Sequence, residues 1–125
     1  MTIHSSAQSR AVKARGRITE QMLVDYLRDR GIIAERRRLT GTEDCGDIAA
    51  GKLVVEVKHG GLRDVPEGFN ELAVEITNAD RRFPEDMPHT GIVVARRKGK
   101  PFVGEWYCAL PLERMVDLLL ALGFK

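Results

Sequence analysis

Two short apolar segments on either side of Gly51 and Lys52 constrain the fold of this chain more than any other feature. The segments 47–50 and 53–58 have the length and the β-branched content of strands. Glycine suits the first central position of a type II′ turn, because that position requires a positive φ. The sequence therefore predicts a β-hairpin with a two-residue turn, and this turn fixes the pairing register.

The predicted register brings acidic side chains together. It places Ile48 opposite Val55 and therefore Asp47 directly opposite Glu56, with β-carbons about 4.5–5.5 Å apart. Lys58 lies two residues beyond Glu56 and shares its strand face. Because like charges in opposed positions destabilise a hairpin, the two carboxylates need compensation.

A divalent cation would compensate these carboxylates. Mg²⁺ binds through one or two carboxylates, keeps several waters and completes its shell with substrate phosphates. Lys58 would then orient an attacking water or stabilise charge in a transition state, or it would pair with a carboxylate structurally. A salt-bridged surface patch is the more frequent meaning of an acid-x-acid or acid-x-Lys pattern taken alone.

The remaining periodicities predict a single α/β domain. Helices are predicted over 17–30, 69–79 and 111–123. In addition to the two hairpin strands, strands are predicted over 32–39, 91–97 and 102–110. The resulting order αβββαββα indicates a central mixed β-sheet flanked by helices. We expect residues 1–15 to form a flexible basic arm and residues 16–125 to form the domain.

Positive charge is concentrated at the start of the chain. The whole sequence has 20 Lys and Arg against 18 Asp and Glu, but residues 1–38 contain nine basic and four acidic residues. A second basic group, Arg96, Arg97, Lys98 and Lys100, surrounds a predicted turn. Because the net charge is only +2, solvated surface charge explains each cluster as well as a polyanionic partner does.

Glu20 occupies the edge of the buried face of the first predicted helix. On a helical wheel it falls about 20° from Leu27 and about 60° from Leu23. An ionised group in this position needs a partner. A nearby arginine and a metal-linked role explain its position equally well.

Composition and motifs exclude several classes of protein. With 43% apolar and 30% charged residues, the chain matches one packed domain and not a disordered or multidomain protein. The longest apolar run, 118–122, is far shorter than a membrane helix, and Cys45 and Cys108 have no zinc-ligand spacing. We expect no membrane segment, no small-molecule cofactor and a cytoplasmic location in a bacterial cell or an infected host.

Four segments together resemble the PD-(D/E)xK nuclease superfamily. The helix that carries Glu20 resembles its opening helix, Gly46-Asp47-Ile48 resembles its PDI element, and Glu56-Val57-Lys58 supplies its ExK element. The final strand and the helix that begins at Pro111 resemble its closing segment. Within the superfamily the chain is similar to archaeal-type Holliday junction resolvases and to short resolvase-like endonucleases of actinobacterial phages. Gly46 replaces the usual proline, which should loosen the loop without removing a ligand.

This resemblance implies a restriction-endonuclease-like fold and Mg²⁺-dependent hydrolysis of DNA phosphodiesters, with Mn²⁺ as a substitute. It implies Glu20, Asp47, Glu56 and Lys58 as catalytic residues, and Asp47, Glu56, Glu20 and the Val57 carbonyl as metal ligands. It also implies a homodimer that presents two symmetric sites to a four-way (Holliday) junction. The side chains expected to contact DNA are Arg10, Lys13, Arg15, Arg17, Arg36, Arg37, Arg38 and His59.

Several alternatives stay open in the sequence. Glu71, Glu75 and Asn78 are expected on the polar face of the second helix, from which the family often brings a Gln or Glu to the site. Trp106 and Tyr107 either pack in the core or stack on bases, and the last helix is either deeply buried or part of a dimer interface. The competing functions are a less selective nuclease for flaps, single strands or duplex ends in phage or host DNA processing, and a catalytically silent junction-binding module.

Overall fold

A computed structural model describes residues 6–37 and 43–125 of the chain. Within these ranges the helices and strands follow the predicted order αβββαββα. The helices are α1 (Ser6–Asp29), α2 (Val65–Arg82) and α3 (Leu112–Ala121), and the strands are β1 (Glu35–Arg36), β2 (Ile48–Ala50), β3 (Leu53–Lys58), β4 (Thr90–Ala95) and β5 (Tyr107–Ala109). The described part of the protein is therefore an α/β domain with a five-stranded mixed sheet.

The sheet has the order β1-β2-β3-β4-β5. β3 and β4 are parallel, and the other neighbouring strands are antiparallel. Helix α2 makes the crossover that parallel neighbours require. The β2–β3 hairpin has the predicted register, with Ile48 opposite Val55 and Ala50 opposite Leu53, and Gly51 has a φ of 59°. The two-residue turn, the positive φ at Gly51 and the predicted pairing of residues 48–50 with 53–55 are thus confirmed.

Alternate side chains of β3 enter two separate cores. Val55 packs in a cluster with Leu23 of α1, whereas Val54 packs in a cluster with Leu72 of α2. Because successive strand side chains point to opposite faces, Glu56 lies on the face that α2 covers. The fold therefore places an acidic side chain of β3 next to the helix that follows it.

Helix α1 begins earlier than the sequence predicted. Residues 6–15, expected to belong to a flexible arm, form its first turns, and residues 1–5 lie outside the described part. Residues 7–15 consist mostly of Ala, Arg, Lys and Gln, which have high helix propensity. They extend a helix that is already nucleated where it packs on the sheet, so no apolar period is needed.

Other boundaries also differ from the sequence prediction. The strand expected over 32–39 is the two-residue edge strand β1 in the described part. Helix α2 begins at Val65 because Pro66 occupies its first turn, where a proline costs no hydrogen bond. The strand expected over 102–110 is divided into a 3₁₀ turn and the short β5, because Glu105 and Trp106 donate backbone hydrogen bonds back into the turn.

The two features that the sequence left open near the end of the chain have different outcomes. Trp106 is 8% exposed and belongs to the core that contains Leu23, which confirms core packing for this side chain. Helix α3 has no buried residue, and its Leu112 and Leu120 are 77% and 61% exposed. The alternative in which α3 is deeply buried within one chain is therefore wrong.

The helices within the described ranges are all too short or too polar to cross a lipid bilayer.

Candidate active site

A tight turn before β2 sets the position of Asp47. Gly46 has a φ of 100°, which proline cannot adopt, and its N–H donates to Asp44 Oδ1 at 2.9 Å. Asp47 donates its own N–H to the Val55 carbonyl at 3.0 Å, and its Oδ2 accepts from the Val57 N–H at 2.8 Å. Asp47 thus lies just beyond the last regular β2–β3 pair and not in the directly opposed ladder position predicted for it.

The side chains of Asp47 and Glu56 are nevertheless close enough to interact. Glu56 is 3% exposed. Burial, hydrogen bonds with Asp47 and Glu71, and the charges of Asp47 and Glu75 raise the pKa of Glu56 to about 12. In the absence of a cation, the Glu56 carboxyl therefore holds a proton among neighbouring carboxylates at neutral pH.

Lys58 connects the end of β3 to α2. Its Nζ donates to Glu71 Oε1 at 2.8 Å, and its side chain is 15% exposed. Burial alone would lower the pKa of the Lys58 ammonium, but the hydrogen bond and charge of Glu71 outweigh burial and raise it. A hydrogen bond from Glu56 is the main cause that lowers the pKa of Glu71, and Lys58 lowers it too. The Lys58 side chain is thus charged and in contact with the Glu71 carboxylate.

Glu75 lies in the buried stripe of α2 together with Gly68, Leu72 and Ala79. It is 1% exposed, and its carboxyl oxygens accept no hydrogen bond from a nitrogen or hydroxyl donor among the described residues, so that the Glu56 carboxyl is the neighbour that can share a proton with it. Burial and the charges of Asp44 and Asp47 raise the pKa of Glu75 to about 8.

Three carboxyl groups from β3 and α2 form a compact cluster. One oxygen each from Glu56, Glu71 and Glu75 lies within 4.8 Å of the other two. A group of oxygens at this separation is the kind of ligand set that a hard cation takes.

Glu20 approaches the same region from α1 and pairs with an arginine. Arg36 Nε donates to Glu20 Oε1 at 3.2 Å. Burial and the charge of Asp47 raise the pKa of the Glu20 carboxyl. The sequence left open an arginine partner and a metal-linked role for Glu20. The arginine partner is present as Arg36, and Asp47 is close enough for its charge to act on Glu20.

All of these ionisable side chains except Glu75 line a cavity of about 760 Å³, which we call the acidic cavity. Its carboxyl groups belong to Glu20, Asp44, Asp47, Glu56, Asp64, Glu67 and Glu71. Its basic side chains are Lys13, Arg17, Arg36, Arg37 and Lys58. Val57, a predicted metal ligand, and His59, a predicted DNA contact, also line it. The four predicted catalytic residues thus share one cavity.

The predicted DNA contacts are divided between several places. Those that line the acidic cavity are Lys13, Arg17, Arg36, Arg37 and His59. Arg15 lines a neighbouring cavity, which His59 also lines, while Arg10 is exposed on α1 and lines neither of the two. Arg38 lies outside the described residues.

The sequence placed Glu75 on the wrong face of α2. It was expected with Glu71 on the polar face, but it belongs to the buried stripe. The spacing of residues 68, 72, 75 and 79 contains this information, since it follows one face of a helix. A second signal is the repeat of Glu67, Glu71 and Glu75 at every fourth position, because like charges at this spacing repel along a helix.

Comparisons with known proteins assign no family to the chain. No family model matches it, and no solved structure matches it. A zeaxanthin glucosyltransferase of Pantoea ananas is 41% identical over 59 residues, a segment that covers 47% of this chain and 12% of that enzyme. The similarity is therefore confined to a small part of a much longer protein, and it transfers no activity to this chain.

Proposed function

We propose that the protein is a Mg²⁺-dependent, structure-selective DNA endonuclease that resolves four-way junctions. The observation that carries this proposal is the convergence of Asp47, Glu56 and Lys58 on one cavity, whose walls also carry Arg36 and Arg37. Carboxylates suit a hard cation, and guanidinium groups suit the phosphates of a nucleic-acid backbone. The resemblance of the Gly-Asp-Ile and Glu-Val-Lys segments to PD-(D/E)xK nucleases supports the same assignment.

The residues present fit a divalent cation. The buried oxygens of Glu75 accept no hydrogen bond from a nitrogen or hydroxyl donor among the described residues and lie next to the Glu56 carboxyl, which is a costly arrangement for an ionisable group. Asp47 and Glu56 would hold the ion, with the Val57 carbonyl, and Glu71 and Glu75 would add further oxygen atoms. When bound, Mg²⁺ would supply positive charge to the scissile phosphate and lower the pKa of a water molecule.

The side chains of this chain have separate tasks in the proposed reaction. Glu71 keeps Lys58 protonated and directed into the cavity. A phosphodiester that enters the cavity competes with Glu71 for the ammonium, which then donates to an oxygen where negative charge develops. Arg36 and Arg37 hold backbone phosphates and contact no base, so they position DNA without selecting a sequence.

A second copy of the chain would provide the second cut that a junction needs. Helix α3 exposes Leu112, Val116 and Leu120, which are spaced by four residues. Monomeric proteins rarely leave a large contiguous apolar surface exposed. We therefore assign α3 to the interface of the proposed homodimer.

Cleavage of a fluorescently labelled four-way junction tests the proposal. We expect paired symmetric nicks with Mg²⁺ or Mn²⁺ and no cleavage with EDTA. Asp47→Asn and Glu56→Gln should each lower the rate at least about a hundredfold, since each removes a ligand charge. Glu85→Gln, which changes an exposed acid outside the cavity, is the matched control and should keep the rate of the wild type.

Parallel assays distinguish the competing functions. Equal cleavage of flaps, single strands and linear duplex would replace junction resolution by a less selective nuclease activity. Tight junction binding without Mg²⁺-stimulated cleavage would leave a silent binding module. Full activity of Asp47→Asn would refute the mechanism.

A further inference from the structure

A second cavity adjoins the acidic cavity and has the opposite charge. Its volume is about 610 Å³, and it shares His59 and Gly60 with the acidic cavity. We call it the basic cavity; its ionisable side chains are Arg15, His59, Arg96, Arg97, Lys98 and Lys100. No carboxyl group belongs to the described residues that line it. Two adjoining cavities of opposite charge can contact different parts of one ligand.

Arg96 is fixed in the basic cavity by contacts with three parts of the fold. Its backbone N–H donates to the Lys58 carbonyl at 2.9 Å. Its side-chain Nη1 donates to Thr19 Oγ1 at 3.0 Å, and its guanidinium carbon lies 5.5 Å from the centroid of the Trp106 ring. Thr19 is fully buried and donates in turn to the Arg15 carbonyl at 2.9 Å. Because a guanidinium has five N–H donors, most of them are not used by these contacts. Arg96 is thus preorganised to bind an acceptor-rich ligand.

The cations of the basic cavity have no acidic partners within residues 6–37 and 43–125. The ion pairs found in these ranges involve none of Arg15, Arg96, Arg97, Lys98 and Lys100. Arg97 instead donates to the Glu105 carbonyl at 3.0 Å and lies over the Tyr107 ring. Positive groups that are gathered without counter-charges create a local potential that attracts anions.

The pairing of β3 with β4 places the two cavities side by side. Lys58 lies opposite Ala95, so the chain leaves both strands at the same edge of the sheet, through His59 and Arg96. Gly60 and Gly61 follow His59 and present backbone without side chains to this edge. A ligand that passes over His59 and Gly60 therefore contacts both cavities, provided that it carries several linked anionic groups.

We propose that the basic cavity binds backbone phosphates of the same DNA strand whose scissile phosphodiester enters the acidic cavity. This inference rests on the proposed function and deepens it, because it adds a phosphate subsite formed by Arg15, Arg96, Lys98 and Lys100. A free phosphate or an acidic peptide matches the charge but lacks the linked phosphates that continue into the acidic cavity. Such contacts fix the position of the strand and carry no sequence information.

The double substitution Lys98→Ala/Lys100→Ala tests the subsite. Both lysines are exposed in a turn, so we expect the fold to be unchanged. The matched control, Lys52→Ala/Lys125→Ala, removes two exposed lysines that line neither cavity. The probe is a fluorescein-labelled linear DNA duplex, and its affinity is measured by fluorescence anisotropy in EDTA at several salt concentrations.

We expect the Lys98/Lys100 variant to bind the duplex about tenfold more weakly than the control variant does. Its slope of log K against log salt should be smaller by about 1–2, since each lost phosphate contact removes about one counterion from the exchange. In a cleavage assay the same variant should raise KM more than it lowers kcat. Equal affinity and equal salt slope in the two variants would overturn the inference.

Competition experiments address the other anions. Displacement of the duplex by inorganic phosphate at equal phosphate concentration, or by polyglutamate at equal charge, would overturn the assignment to linked backbone phosphates. The proposed function fails separately: no Mg²⁺-dependent cleavage by the wild type, together with weakened duplex binding by the Lys98/Lys100 variant, would refute the nuclease and support the subsite. Normal Mg²⁺-dependent cleavage by the wild type, together with unchanged duplex binding by the Lys98/Lys100 variant, would support the nuclease and refute the subsite.

Discussion

The Lys58 ammonium lies 2.8 Å from the Glu71 carboxylate, and this pair joins the end of β3 to α2 at the wall of the acidic cavity. The side chain of Glu71 is 38% exposed and that of Lys58 is 15% exposed. Solvent therefore reaches one side of the pair, and a phosphate in the cavity can compete for the ammonium. The ion pair connects β3 to α2, and its ammonium is a positive charge that an anion in the cavity can contact.

Substitution of Lys58 distinguishes these two roles. Lys58→Met removes the charge and should lower the cleavage rate at least about a hundredfold, at a cost of about 1–3 kcal/mol in stability. Lys58→Arg keeps the positive charge and the ion pair with Glu71, but the planar guanidinium cannot replace a compact ammonium at the reacting phosphate. We expect Lys58→Arg to unfold in urea like the wild type and to remain inactive. Normal cleavage by Lys58→Arg would limit Lys58 to the structural role.

Glu75 makes the stability of the metal-free protein depend on pH. Its pKa is raised from 4.5 to about 8, so between these values the native state holds more protons than the unfolded state. Stability should therefore fall as the pH rises through this window, by up to about 1.4 kcal/mol per pH unit for this one proton. Glu75→Gln should flatten the dependence and raise stability at pH 8. Urea unfolding in EDTA measures both effects, with Glu85→Gln as the control; an unchanged slope would contradict the burial of an ionisable Glu75.

Binding of Mg²⁺ should stabilise the folded protein more at pH 8 than at pH 6. The proposed ion would compete with the protons that Glu56 and Glu75 hold, and this competition would weaken as the pH rises. At a concentration a hundred times the dissociation constant, the gain is about 2.7 kcal/mol. Urea unfolding with MgCl₂, compared with NaCl at equal ionic strength, measures the gain. Glu56→Gln should lose it and Asp25→Asn should keep it, whereas an equal gain in both variants would reject the site.

Substitution on α3 tests the proposed dimer without touching the cavity. Val116→Glu/Leu120→Glu places two charges on side chains that are 45% and 61% exposed, so the fold of one chain should persist. We expect sedimentation equilibrium to show a dimer for the wild type and a monomer for this variant. Junctions should then receive unpaired nicks, because the two sites no longer act together. A monomeric wild type that makes paired nicks would contradict the assignment of α3.

The parts of the fold that local sequence determines could be predicted. The register of the β2–β3 hairpin follows from a two-residue turn at Gly51, and the order of elements follows from periods of apolar residues. The start of α1 could not be found in this way, because its first turns bury little and leave no apolar period. The signal that remains in residues 7–15 is their high helix propensity.

The site depended on contacts that are distant in sequence. Asp47 shares its cavity with Glu56 as predicted, but its place beyond the ladder results from the left-handed φ of Gly46 and from the hydrogen bond that Asp44 accepts. The burial of Glu75 results from the packing of α2 on β3. A helical wheel centred on residues 68, 72 and 79 would have placed this carboxyl in the buried stripe.

The left-handed turn at Gly46 can be tested with a pair of identical substitutions. A β-carbon at Gly46 would lie 2.5 Å from Val54 Cγ1, and Val54 is fully buried and cannot move away. Gly46→Ala should therefore lose about 2–4 kcal/mol, from the left-handed conformation and from overpacking. Gly16→Ala should instead gain about 0.5–1 kcal/mol, because Gly16 lies in α1 with open space around it. Urea unfolding compares the two variants. Equal stability would show that the turn before Asp47 tolerates a side chain and would remove its role in placing the carboxylate.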